Sequence, residues 1–150
     1  MNDSTVLPVE GAKKDLASVS YGLFQDDTFM GAVARLTAHK FKDPRTTLHV
    51  MKLSKAVSEE LTCAQKCFIT TLKDYAELDD SGEIKAMKDK PGTYKIKEAK
   101  VKEWQTAFNE FKSIKSSLNR KKLAFEDLDG FTVSALELDA LGGLIKVEED

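Results

Sequence analysis

Residues 44–78 read PRTTLHVMKLSKAVSEELTCAQKCFITTLKDYAEL, and this stretch sets the architecture that we expect for the chain. Its apolar side chains recur every three or four residues, which is typical of one face of an α-helix and not of a strand. Asp43 and Pro44 form an N-cap and first-position pair, because a carboxylate accepts free amide hydrogens and proline has none to satisfy. The pattern predicts a helix about 50 Å long at about 1.5 Å per residue. Its apolar face comprises Val50, Leu53, Val57, Leu61, Ala64, Phe68, Leu72 and Tyr75.

A second amphipathic helix is predicted over residues 98–118. Between the two helices, residues 79–82 favour a turn, and residues 83–87 and 93–96 are predicted as short strands around a second turn. Two apolar stripes are buried most simply by antiparallel helices, so we predict a long antiparallel helical hairpin with a small β-hairpin at its tip. The second stripe comprises Val101, Trp104, Phe108, Phe111, Ile114 and Leu118.

Shorter elements are predicted on either side of this core. Asp27 is placed to cap a helix from Thr28 to about Lys40. Asn119 and the basic residues 120–122 favour the end of the second helix, and residues 123–125 favour a short strand. Ser134 and Glu137 form a capping box for a last short helix that contains Leu136 and Leu141.

The predicted fold class is mainly α with a minor α+β part, in a single domain over residues 1–150. Residues 1–25 are expected to form an irregular N-terminal arm or a short strand. Residues 44–118 form the helix–β-hairpin–helix core, and residues 123–150 an acidic C-terminal segment with a short strand and helix.

Charge is distributed unevenly along the chain, although the formal net charge is only −2. Residues 81–122 carry 12 basic and 5 acidic side chains, whereas residues 123–150 carry 1 basic and 8 acidic ones. The near-neutral total argues against coating of nucleic acid. We expect the acidic tail 126–150 to be a counterpart for the lysines of the basic segment, and nucleic acid is not the expected partner.

The ends and the cysteines indicate a protein of a reducing compartment. The N-terminus lacks the basic start and apolar run of a secretory signal, and no stretch approaches the ~20 apolar residues that span a bilayer. Cys63 and Cys67 lie four residues apart in a predicted helix, which is poor geometry for a disulfide. As metal ligands they would need partners such as His39 and His49, so no metal site is predicted.

No catalytic motif is present, so an enzyme is not predicted and no cofactor is implied. Residues 77–82 resemble the start of a calcium loop, with Gly82 at its sixth position. Lys88 then occupies the twelfth position, where a bidentate Glu should bind the ion. A turn that ends a helix explains the same residues.

The order of elements resembles a group of small helical proteins of tailed bacteriophages. The resemblance rests on the acidic Asp79-Asp80-Ser81-Gly82 turn, the strand 92–96, the helix with Trp104, and the tail from Leu123 to Leu141, and it covers roughly residues 48–145. It implies a non-enzymatic protein of the virion or its assembly, located in the virion or the host cytoplasm.

The function expected from these features is that of a phage structural or assembly protein that acts through contacts with itself and other phage proteins. One alternative is a phage-encoded inhibitor of a host protein that uses the acidic tail as a lure, and a weaker one is a nucleic-acid accessory protein. The predicted packing and interface residues are Leu61, Phe68, Leu72, Trp104, Phe108, Phe111, Leu136 and Leu141.

Overall fold

The long helix predicted at the centre of the chain is present. In the computed structural model, which describes residues 15–86 and 94–147, α2 spans Pro44–Lys73. The Asp43 carboxylate accepts a hydrogen bond from the Arg45 amide at 2.8 Å, and Pro44 is the first helical residue, as predicted. The buried face comprises Thr46, Val50, Leu53, Val57, Leu61, Ala64, Phe68 and Leu72.

The end of α2 lies five residues before the predicted one. After Lys73 the backbone turns and becomes extended, because Ala76 and Leu78 form antiparallel bridges with Ile96 and Ile84. The Glu77 amide donates to the Lys95 carbonyl at 2.8 Å. Hydrogen bonds between extended segments therefore replace the helical ones after Lys73.

The segment between the two main helices pairs with itself in its described part. Ala86 and Tyr94 form an antiparallel bridge, so the segments predicted as strands at 83–87 and 93–96 do meet. Met87, Thr93 and the turn between them lie outside the described residues.

Helix α1 spans Asp27–Ala38, and its cap lies one residue before the predicted one. The Asp26 carboxylate accepts from the amides of Thr28 and Phe29, at 2.9 and 3.2 Å. Asp27 cannot be the cap because it is already helical, whereas Asp26 keeps the extended backbone that a cap requires. Phe29, Ala32 and Leu36 are the buried residues of α1.

The second predicted helix is wrong over its last five residues, 114–118. A 3-10 turn at Glu98–Lys100 leads into α3, Val101–Ser113, and residues Lys115–Lys121 form the strand β2. β2 pairs antiparallel with β1, Leu16–Ser20, which lies in the region where an irregular arm or short strand was expected.

The β1–β2 ladder is irregular. Between the pairs Ser18–Ser117 and Leu16–Lys121, one residue of β1 faces three of β2. Asn119 lies in this bulge with φ 53°, so the residue predicted to end a helix adopts the left-handed conformation inside a strand. Leu118 points into the core from β2 and is buried.

The C-terminal segment packs back on the molecule. β3, Leu123–Ala124, confirms the predicted short strand and pairs in parallel with β4, Ile145–Lys146. Between them lie a 3-10 turn, Phe125–Asp127, and helix α4, Ala135–Ala140. The predicted capping box is confirmed: the Glu137 amide donates to Ser134 Oγ at 3.1 Å, and the Ser134 amide to Glu137 Oε1 at 3.0 Å.

The molecule is therefore mainly helical, with a small antiparallel two-stranded sheet. Its buried apolar residues form two clusters. The main cluster joins α1, the first half of α2, both small β pairs and the C-terminal segment, with buried residues from Ala17 to Ile145. The second cluster joins the last half of α2 to α3 through Ala64, Phe68, Leu72, Ala76 and Phe111.

Candidate functional site

The predicted aromatic surface exists as a cluster around Phe68. Its ring lies 5.8 Å from Trp104, 5.9 Å from Phe108 and 5.6 Å from Phe111, measured between centroids. Trp104 and Phe108 stack on each other at 5.3 Å. Phe68, Leu72 and Phe111 are buried, whereas Trp104 and Phe108 are only partly buried.

The other predicted packing residues belong elsewhere. Leu61 and Leu141 are buried in the main cluster and not against the aromatic rings. Leu136 is 69% exposed, so as a packing residue within the chain this prediction is wrong. Leu136 is the second residue of α4, on the side of this short helix that faces away from α1 and the core, and as an interface residue it stays a prediction.

Three aromatic residues of the second cluster were not predicted as packing residues. Tyr21 and Phe24 reach Phe111 from the 3-10 turn Tyr21–Gln25, with ring centroids at 5.7 and 5.8 Å. Tyr94 reaches Phe68 at 6.5 Å. The spacing of three between Tyr21 and Phe24 was an available signal, since one 3-10 turn places such residues on the same side.

The Tyr21 hydroxyl ties this turn to α2. It donates to Glu60 Oε1 at 2.7 Å, and this hydrogen bond, with burial, raises the pKa of Tyr21 to about 12. Cys63 and Cys67 lie near the same phenol; both are free thiols, the first exposed and the second half-buried.

In the acidic turn after α2, a carboxylate accepts hydrogen bonds from residues of the same turn. Asp79 Oδ1 accepts from the Ser81 amide at 2.9 Å, the Ser81 hydroxyl at 2.6 Å and the Glu83 amide at 3.0 Å. These hydrogen bonds lower the pKa of Asp79, the Ser81 hydroxyl having the largest effect. Across residues 15–86 and 94–147, no group of three or more His, Cys, Asp or Glu side chains is arranged to hold a metal ion.

A groove of about 480 Å³ runs between α1 and α2, and no pattern in the sequence predicts it. Its apolar lining comes from Phe24, Met30, Val33, Val57 and Leu61, and Met30 is 41% exposed at its edge. The remaining lining side chains are uncharged polar ones: Thr37, Ser54, Ser58, Thr62 and Gln65.

The groove continues along α2 beyond the end of α1. A second concavity of about 450 Å³ shares Thr62 and Gln65 with it and extends to Ile69 and Thr70. Every residue lining this second part belongs to α2, and one of them, Ile69, also packs against the second cluster. Lys66 is the only charged residue among the two sets of lining side chains.

The acidic tail is paired with the start of the chain and not with the basic segment. Glu137 forms an ion pair with Arg35, and Asp129 lies 3.8 Å from Lys42. The Ser134 amide, followed by Arg35, lowers the pKa of Glu137. Among the described residues no ion pair joins the tail to residues 81–122, so the expected internal counterpart is absent there.

Three lysines gather around the Asp15 carboxylate near the end of β2. Lys121 and Lys122 from the end of β2 and Lys146 from β4 all act on the Asp15 carboxylate and lower its pKa, with Lys146 making the direct hydrogen bond at 2.6 Å. The cluster therefore brings three cations around one carboxylate.

The described helices include none that is long and apolar enough to cross a membrane. In comparisons with known proteins, the chain matches no family model, no curated protein and no solved structure.

Proposed function

We propose that this chain is a non-enzymatic bacteriophage structural or assembly protein that acts through protein–protein contacts. The observation that carries the proposal is the groove along α2, whose lining contains a single charged residue in a chain that is 32% charged. Depletion of charge around an apolar centre is typical of the core of a protein interface. The phage origin rests on the resemblance of the sequence alone.

We also propose that α2 and α3 form an antiparallel helical hairpin. The bridged segment between the two helices lies at the tip of this hairpin. Packing of Phe68 and Leu72 of α2 against Phe111 of α3 supports this arrangement. Such an arm leaves the opposite flank of α2 available to other copies of the chain or to other phage proteins in the virion or host cytoplasm.

The direct test is quantitative mass spectrometry of purified phage particles and of assembly intermediates from the infected cell. We expect the protein in one or both fractions at a fixed copy number per particle. Its absence from both, with the protein abundant in the soluble lysate, would reject the structural role.

A second function, as a nucleic-acid accessory protein, gains support from the lysine cluster at the end of β2. Lys121 and Lys122 form no ion pair with the acidic residues of 126–147, and both lie near the Asp15 carboxylate. Binding to duplex DNA should then fall steeply between low and physiological salt, because phosphate contacts release counterions. The double variant Lys121→Glu, Lys122→Glu should abolish it, whereas the control Lys52→Glu on α2 should not.

The inhibitor alternative is less well supported. A lure for a basic host surface needs free carboxylates, and two of the eight acidic side chains of the tail, Glu137 and Asp129, are already paired with cations of the same chain.

A further inference from the structure

The two concavities on α2 define one continuous flank of the helix. At about 100° per residue, Ser54, Ser58 and Gln65 lie within a narrow sector, with Thr62 and Ile69 at its edge. This flank is separate from the buried face, because Ser58, Thr62 and Gln65 are exposed. It extends over about four turns, and Lys66 is the one charged side chain in its lining, with Lys55 and Glu59 next to it on the solvent side.

We propose that this flank is the contact between two copies of the chain, which pair through antiparallel α2 helices around a two-fold axis near Thr62. The inference rests on the proposed function in one respect only, that the protein works as an assembled species. A two-fold interface must be complementary to itself, so each residue before the axis has to suit a residue after it.

The uncharged residues meet this requirement. With the axis near Thr62, Ser58 of one copy lies beside Gln65 of the other, and Ser54 lies beside Ile69. The first half of the flank has α1 beside it, whereas the residues that line the second half all belong to α2. The exposed second half of each α2 therefore covers the groove of the other copy, including the 41% exposed Met30.

The charges next to the flank also match. Glu59 and Lys66 lie on the same side of it, two turns apart, and both are exposed. The same axis places Glu59 of each copy beside Lys66 of the other, to within about one residue of helical rise. Neither side chain has an ion pair within the described part of its own chain, and they are too far apart along the helix to pair with each other.

One like-charge pair limits the length of the contact. The same axis aligns Lys52 with Lys73 of the second copy, about three turns from the centre. Packed helices cross at angles of about 20–50°, which separates the helices at their ends. The contact is therefore confined to the central turns, from Ser54 to Ile69.

The first experiment measures the mass of the full chain in solution over a range of concentrations, by sedimentation equilibrium. We expect a reversible dimer. Glu59→Lys and Lys66→Glu should each weaken it at least tenfold, because each places like charges together across the axis. The double variant should restore it, and Lys102→Glu, an exposed change on α3, should leave it unchanged.

The second experiment tests the axis by crosslinking in a Cys63→Ser, Cys67→Ser background. Thr62→Cys lies next to its own copy across the axis and should form a disulfide-linked dimer under mild oxidation. Thr70→Cys, two turns away on the same helix and equally exposed, should not.

A chain that stays monomeric at every concentration would overturn the inference. So would a dimer that the single charge variants leave intact, or one that crosslinks equally well through residue 70. The outcome is separate from that of the proposed function, since a monomeric chain found in phage particles would reject the dimer and keep the structural role.

Discussion

Phe68 contacts more aromatic rings than any other side chain of the second cluster, since Phe24, Tyr94, Trp104, Phe108 and Phe111 all surround it. Phe68→Ala should therefore lower the free energy of unfolding by about 3–5 kcal/mol, because the cavity borders aromatic rings from three other segments of the chain. Thermal or urea unfolding followed by circular dichroism measures the change.

Two further variants give losses of stability with which the loss at position 68 can be compared. Phe108→Ala should cost less than Phe68→Ala, since Phe108 is only partly buried. Leu136→Ala should change stability by no more than about 0.5 kcal/mol, because the side chain is largely exposed. Equal losses at positions 68 and 136 would contradict the assignment of the core.

Tyr21 gives a prediction about pH. The hydrogen bond to Glu60 favours the neutral phenol, so the folded-state pKa of about 12 lies above the unfolded value near 10. The resulting stability is fully present below pH 10 and is lost as the pH rises toward 12.

Absorbance of the tyrosinate ion should accordingly include a step well above the ordinary tyrosine pKa of about 10. Tyr21→Phe should remove that step and, through loss of the hydrogen bond, reduce stability by about 1 kcal/mol. A titration with no step above the ordinary range of tyrosine would contradict the contact with Glu60.

At the scale of elements, a single substitution can test whether residues 115–121 form the strand β2 or continue the helix. Asn119 has φ 53°, a conformation that costs a β-branched residue about 1–2 kcal/mol and costs glycine little. Asn119→Val should therefore destabilise the protein, whereas Asn119→Gly should be neutral or slightly stabilising. In a helix the order would be reversed, because glycine is among the least favourable residues in a helix interior.

The sequence predicts the helices well where one face repeats over many turns, and it fails at β2 for a physical reason. Ile114 and Leu118 continue the helical spacing of Trp104 and Phe111, and the lysines and serines between them are compatible with a helix. What makes residues 115–121 a strand is pairing with β1, about 100 residues earlier, and a local pattern does not report a distant partner.

The same reasoning explains the candidate site. The apolar face of α2 can be predicted because its apolar side chains repeat every three or four residues. The groove beside this face depends on where α1 packs, so the polar residues of the groove form no pattern that predicts it. From the sequence, Ser58 and Gln65 are ordinary solvent-exposed positions. Only the packing of α1 beside them makes them part of a groove.

The capping box of α4 offers a second test at this scale. Ser134→Ala should cost about 1 kcal/mol, since it removes the acceptor for the Glu137 amide. The folded-state pKa of Glu137 is lowered, so its contribution is present above its ordinary pKa of 4.5 and is lost as the pH falls through the lower value. Glu137→Gln should flatten the acid limb of a plot of stability against pH. An unchanged acid limb would show that other carboxylates determine it.

At the scale of the whole molecule, the C-terminal segment decides between the structural role and the inhibitor alternative. A lure is dispensable for folding, so the inhibitor reading requires that removal of residues 126–150 leave the rest of the protein folded. The structure gives this segment a large share of the main core. The buried side chains that it contributes are Leu128, Phe131, Leu141, Leu144 and Ile145.

Deletion of residues 126–150 should therefore abolish cooperative unfolding of the chain. Five buried side chains of this size stabilise by about 1.5–3 kcal/mol each, which together equals the entire net stability of an ordinary domain, about 5–15 kcal/mol. A control variant, Glu126→Gln with Asp139→Asn, removes two exposed negative charges and keeps the buried residues, so it should melt like the parent chain. A truncated chain that still unfolds cooperatively would instead show that the acidic segment is an appendage, and would favour the inhibitor role over the structural one.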